Sequence, residues 1–191
     1  MADKIKILAI SGSTRSSSSN LNLINAITKL AADQFEVSVF DGLTGLPHFN
    51  PDIDHEVVAE PVASFRKQIR AADGVLICTP EYAIGVPGTL KNAIDWTVSS
   101  MEFSRKPVAL ITAALSGVKA HESLLGTLLI IESNMTSETQ LVISGVKTKV
   151  SGDGEITDVH TLESVKKLIA SMTAMVNGNA PVELLVAPVL Y

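Results

Sequence analysis

Short apolar runs rich in β-branched residues alternate along the chain with longer stretches in which apolar positions recur every three or four residues. The first pattern belongs to strands buried on both faces and the second to helices with one apolar stripe. Their alternation predicts a parallel sheet covered by helices on both sides. Strands are predicted over residues 5–10, 35–40, 74–79 and 108–113, with a fifth inside 140–150. The first helix opens near Ser19 or Asn20 and puts Leu23, Ile27, Leu30 and Ala31 on one stripe. The second runs up to Ala72 with Val62, Phe65 and Ile69 inward, and Pro61 either breaks or starts it. Further helices are predicted over 90–100 and 119–133, and a last one carries Leu162, Val165, Leu168, Ile169, Met172 and Met175 at three-and-four spacing.

Five alternating units fit a doubly wound, three-layer α/β/α fold with strand order 2-1-3-4-5, whose ligand crevice lies at the carboxyl ends of strands one and three. Function is therefore sought in the loops over 11–20, 80–89 and 113–119. The loop over 41–54, punctuated by Gly42, Gly45, Pro47 and Pro51, joins strand two to the second helix. At 191 residues the chain suits one domain spanning 1–191. Its tail from 181 to 191 is apolar and either closes over the core or reaches a partner subunit.

Charge narrows the class. Fifteen basic and 20 acidic side chains give −5, and no run of like charges occurs, which argues against a nucleic-acid groove or a polybasic membrane patch. The longest apolar stretches, over 108–115 and 124–131, fall short of the roughly 18 residues that span a bilayer. One cysteine, Cys78, forms no internal disulfide and reads as a small buried hydrophobe, and the N-terminus carries no signal-peptide core. A soluble, cytoplasmic protein is expected. His48, His55, His121 and His160 lack metal-ligand spacing, so no metal is expected, although His121 falls near the loop over 113–119. Without a Gly-x-Ser-x-Gly elbow, acyl transfer is not expected either.

The first loop gathers Ser13, Arg15, Ser18, Ser19 and Asn20 between a strand and a helix N-terminus. Hydroxyls and amides donate to phosphate oxygens, a guanidinium adds charge in a planar fork, and the helix end adds positive partial charge. The plain alternative is a polar surface loop capped by Ser19 or Asn20. The loop lacks the Gly-x-Gly-x-x-Gly of dinucleotide sites, the Gly-Lys-Ser/Thr of triphosphate sites and the paired carboxylates of phosphoacceptors, which leaves a monophosphate. In the second loop Pro80, Gly85, Pro87 and Gly88 shape a backbone that a flat heterocycle can approach, with Tyr82 and Ile84 as apolar contacts. The alternative is an ordinary βα connection.

Gly12, Ser13, Arg15, Ser18 and Asn20 fill Gly-Ser-x-Arg-x-x-Ser-x-Asn, and Pro80-Glu81-Tyr82 is followed by Pro-Gly-x-Leu-Lys-Asn-Ala-x-Asp-Trp ending at Trp96. Together with Leu46-Pro47-His48-Phe49-Asn50-Pro51-Asp52, these motifs resemble the NAD(P)H-dependent FMN reductase family of flavodoxin-like fold, which includes azo, quinone and chromate reductases. The resemblance implies FMN as cofactor and NADPH or NADH as co-substrate. It also implies a small-molecule electron acceptor (free flavin, quinone, azo compound or metal oxyanion) reduced by ping-pong turnover, and a homodimer or homotetramer. It implies that Ser13, Arg15, Ser18, Ser19 and Asn20 hold the phosphate, and that Pro80, Glu81, Tyr82, Ala83, Ile84, Gly85 and Ser116 border the ring. No catalytic side chain is expected, because the cofactor carries the chemistry. The chain departs from the family's pattern at Ala83, where Asn is usual, in the single glycine of its loop after strand four, and in its unmatched tail. An electron carrier that never meets nicotinamide, or a relative that has lost flavin, are the competing readings.

Overall fold

The computed structural model describes residues 3–55, 57–178 and 183–189. Strands β1 (Ile5–Ser11), β2 (Phe35–Phe40), β3 (Gly74–Thr79), β4 (Val108–Ala114) and β5 (Gln140–Ser144) form one sheet in the order β2-β1-β3-β4-β5. Every pairing is parallel, as predicted. The connecting helices are α1 (Ser19–Leu30), α2 (Glu60–Ala71), α3 (Gly88–Asp95), α4 (Val118–Ile130) and α5 (Val159–Asn177).

Strands β3 and β4 are buried at every position, whereas the edge strands β2 and β5 are only half covered. The two-residue period of the strands splits the core into two faces. Leu8, Ile10, Val75, Ile77, Val108 and Leu110 pack against apolar side chains of α2, α3 and α4. Ile7, Ala9, Leu76, Cys78, Ala109 and Ile111 pack against α1 and α5. Trp96 and Met172 are core residues, and burial pushes the Cys78 thiol far above its ordinary pKa, so it stays protonated and inert.

Several boundaries differ from the predicted ones. Pro61 starts α2, in its first turn. Helix α3 ends at Asp95 and not at residue 100, because the Trp96 carbonyl accepts Arg66 Nε at 2.8 Å. The chain then passes through left-handed Met101 and Arg105. Helix α4 ends at Ile130 and left-handed Glu132 turns the chain away. Strand β5 stops at Ser144, where Gly145 adopts a φ of 66° and leads into a 3-10 turn. In the tail, Leu185 N–H donates to the Met135 carbonyl at 2.8 Å and its side chain packs against the α2/α3/α4 face, closing over the core there. Met1, Ala2, Pro181, Val182, Leu190 and Tyr191 lie outside the described residues.

Candidate functional site

Three loops rise from the carboxyl ends of β1, β3 and β4, and hydrogen bonds lace them together. Gly12 opens the first. Its N–H donates to the Cys78 carbonyl at 2.8 Å, and a Cβ at Gly12 would stand 2.8 Å from Thr79 Cβ, so no other residue fits this close approach to β3. Ser18, not Ser19 or Asn20, is the N-cap of α1. It sits in extended geometry and its hydroxyl oxygen accepts from Asn20 N–H at 3.2 Å, which leaves the Ser18 O–H free to donate. Ser13, Ser18 and Asn20 are buried, while residues 14–17 are exposed.

No acidic residue occupies the first turn of α1, and Arg15 has no ion-pair partner among the described residues. Asn20 Nδ2 donates to the Ala113 carbonyl at 3.2 Å, tying the α1 end to β4. Its Oδ1 is buried with no partner among the described residues, a costly state that a ligand donor would relieve.

The second loop forms a two-residue hairpin. Tyr82 N–H donates to Gly85 O and Gly85 N–H to Tyr82 O, both at 3.0 Å. Ala83 and Ile84 between them have φ of 49° and 63°. A left-handed pair at the centre is the type I′ pattern, which Asn and Gly enter most easily. For Ala and Ile the conformation costs roughly 1–2 kcal/mol each. The Asn usual in the family at position 83 thus has a backbone reason, and Ala83 keeps the same turn under strain. Tyr82 is 48% and Ile84 75% exposed, so the turn presents two apolar side chains to solvent.

In the third loop, after β4, Leu115 is 92% exposed and the Ser116 carbonyl accepts from the Ser144 hydroxyl at 2.8 Å. Gly117 adopts a φ of 94°, with Thr112 Cγ2 3.1 Å from where a Cβ would stand; the one glycine retained is the one this turn requires. Glu81 reaches across from the second loop. Its carboxylate accepts from Gly117 N–H at 3.3 Å and Ala120 N–H at 2.9 Å, so a side chain expected at the ring is committed to α4. The Ala120 amide, followed by those of Gly117 and Lys119 and the Lys119 charge, holds the Glu81 pKa below the ordinary carboxylate value against desolvation.

His121 is structural. Burial pushes its pKa down, against the Gln140 hydrogen bond and the Glu122 charge. Gln140 Oε1, 2.6 Å from Nε2, can only accept, so the neutral ring donates there and accepts from the Thr112 hydroxyl, 3.0 Å from Nδ1. Among the described residues, no group of three or more His, Cys, Asp or Glu gathers as metal ligands, and no helix is long and apolar enough to cross a membrane.

Sequence reasoning missed how the loop after β2 is fastened. Asn92 and Trp96, one turn apart on α3, both donate to the Pro47 carbonyl, at 2.9 and 2.8 Å, and Asn92 Oδ1 accepts from Phe49 N–H at 2.8 Å. Four-residue spacing was the available signal. Asp54 and Arg66 form a buried ion pair at 2.6 Å beside it. Desolvation would raise the Asp54 pKa, but hydrogen bonds from Ser99 and Arg66 carry it below the ordinary value.

Residues 5–148 match the family described as NADPH-dependent FMN reductase. The chain belongs to that family. A Pseudomonas aeruginosa protein named NAD(P)H-dependent FMN reductase is 32% identical over 177 residues, covering 90% of this chain and 95% of its own. An Escherichia coli K12 protein named quinone reductase is 30% identical, covering 85% and 90%. Among solved structures, the flavoenzyme NAD(P)H:(acceptor) oxidoreductase FerB of Paracoccus denitrificans superposes with a TM-score of 0.75 at 25% identity over 91% of this chain and 98% of its own. This FMN reductase family member is an oxidoreductase of flavodoxin-like fold that works with FMN and NAD(P)H.

Proposed function

We propose that this FMN reductase family member binds FMN with its phosphate at the N-terminus of α1 and passes electrons from NAD(P)H to a flat, small-molecule acceptor by ping-pong turnover. The observation that carries the reading is the open α1 end: buried Ser13 and Ser18, exposed Arg15 and no carboxylate in the first turn. The residues present suit the group. Ser18 O–H, the α1 amides and Arg15 are donors for phosphate oxygens, and Ser19 and Ser13 stand beside them. Asn20 Oδ1, an acceptor, suits a hydroxyl of the ribityl chain better than a phosphate oxygen.

When bound, FMN supplies the hydride-accepting centre and the two-electron store. The protein's part is placement. Pro80, Tyr82, Ala83, Ile84 and Gly85 offer backbone groups and an apolar edge to the ring, and Ser116 borders the same opening. No side chain is needed as general acid or base. Tyr82, Ile84 and Leu115 leave an exposed apolar border on which nicotinamide and acceptor take turns, the physical basis for ping-pong order. Quinones, azo compounds and free flavin fit such a border. A homodimer or homotetramer is part of the same proposal and rests on family resemblance.

The test is the visible spectrum of the protein with FMN, taken anaerobically before and after NADPH or NADH. Bleaching, followed by parallel double-reciprocal lines with a quinone as second substrate, supports the reading. Flavin that binds but does not bleach makes the protein an electron carrier, and absence of flavin binding makes it a relative that has lost the cofactor.

A further inference from the structure

Glu81 stands immediately before the left-handed hairpin, yet its carboxylate leaves that loop. It accepts Gly117 N–H and Ala120 N–H at 3.3 and 2.9 Å. These amides open a 13-residue helix whose cap, Gly117, has no side chain to satisfy them. Unfilled, such amides draw a phosphate or carboxylate from a ligand. The α1 end on the same sheet edge has no such internal carboxylate. Left alike, the two ends would compete for one phosphate.

We propose that Glu81 is the resident anion of the α4 end and a positioning residue for the flavin loop. It excludes ligand phosphate from α4 and holds backbone 80–85 in place. The hairpin needs such an anchor, because Ala83 and Ile84 disfavour the conformation they adopt. Pro80 and Pro87 stiffen its two flanks, and the Glu81 carboxylate is the tie that fixes it to a neighbouring element. The positioning half rests on the flavin reading; the exclusion half does not.

The closing experiment has two arms. In the first, inorganic phosphate is titrated into the flavin-free protein while backbone amide shifts are followed by NMR. In the wild type phosphate moves the amides of Ser18, Ser19 and Asn20 and leaves Gly117, Lys119 and Ala120 still; in Glu81→Gln the second group moves too. Phosphate shifts at 117–120 in the wild type, or none there in Glu81→Gln, overturn the exclusion. In the second arm FMN affinity is measured by flavin fluorescence from neutral pH down through and below the ordinary carboxylate range, because the α4 amides lower the Glu81 pKa. The wild type loses affinity as Glu81 protonates, whereas Glu81→Gln binds about tenfold more weakly at neutral pH and lacks that acid step. Equal affinities, or an acid step that persists in Glu81→Gln, overturn the positioning role. A wild type that binds no FMN refutes the flavin reading and the positioning half with it, while the phosphate arm still decides exclusion. If Glu81→Gln does not fold, Glu81→Asp serves: it keeps the charge one methylene short, so the α4 amides stay shielded from phosphate while FMN loosens. Phosphate at 117–120 in that variant, or unchanged FMN affinity, counts against the respective half.

Discussion

Among the helix N-termini at the carboxyl edge of the sheet, those of α1 and α4 differ in what satisfies them. At α1, Ser18 caps the backbone, no carboxylate enters the first turn and Arg15 stands exposed. At α4, Gly117 offers no cap and Glu81 reaches over from another loop to accept the amides. Both ends carry the same partial positive charge. One end has no carboxylate in its first turn and the other is neutralised from within, so the fold alone does not make the two ends alike. A single carboxylate decides between the two.

That contrast can be broken at several points. Gly12→Val drives a branched side chain into Thr79 and pushes the first loop off β3, costing about 3 kcal/mol of stability and most FMN affinity; thermal unfolding and FMN titration read both. Arg15→Ala removes the exposed guanidinium and weakens FMN roughly tenfold to a hundredfold with an unchanged melting temperature, because the side chain has no ion-pair partner among the described residues. Ser18→Ala removes the cap and lowers stability by about 1 kcal/mol, with weaker FMN binding besides. Ala83→Asn acts the other way, since Asn enters the left-handed region more readily, and raises the unfolding free energy by roughly 0.5–1 kcal/mol.

The smallest effect sharpens the α4 side. His121 is held neutral, with its pKa depressed by burial, so the folded chain takes up the proton less readily than the unfolded one. Its contribution is complete above about pH 6.5, the ordinary histidine value, and is lost as pH falls through the depressed pKa. Unfolding curves across that range show the decline, and His121→Gln flattens it.

The strands and their order were legible because β-branched runs mark β1, β3 and β4 without help from distant residues, whereas Pro61 left open whether it breaks or starts α2. The two candidate site loops stood out for a similar reason: their polar and glycine-proline chemistry is dense and local. Other features depend on partners far along the chain. Helix α3 stops where Arg66, 30 residues earlier, takes the Trp96 carbonyl. Glu81 meets its amides 36 and 39 residues on, which no local pattern announces. The cap of α1 was misplaced because four consecutive serines offer equivalent hydroxyls, and only backbone geometry selects Ser18. Asn92 and Trp96 are separated by one helical turn, but their shared acceptor, Pro47, lies in another loop.

The most direct test of the open α1 end compares FMN with riboflavin, which keeps the ring and ribityl chain and lacks the phosphate, in parallel titrations of the wild-type protein. Tight FMN binding with riboflavin at least tenfold weaker is the predicted result, and Arg15→Ala should narrow the gap. Equal affinity for the two flavins would contradict the account, because the phosphate would then gain nothing from the end that Glu81 leaves open.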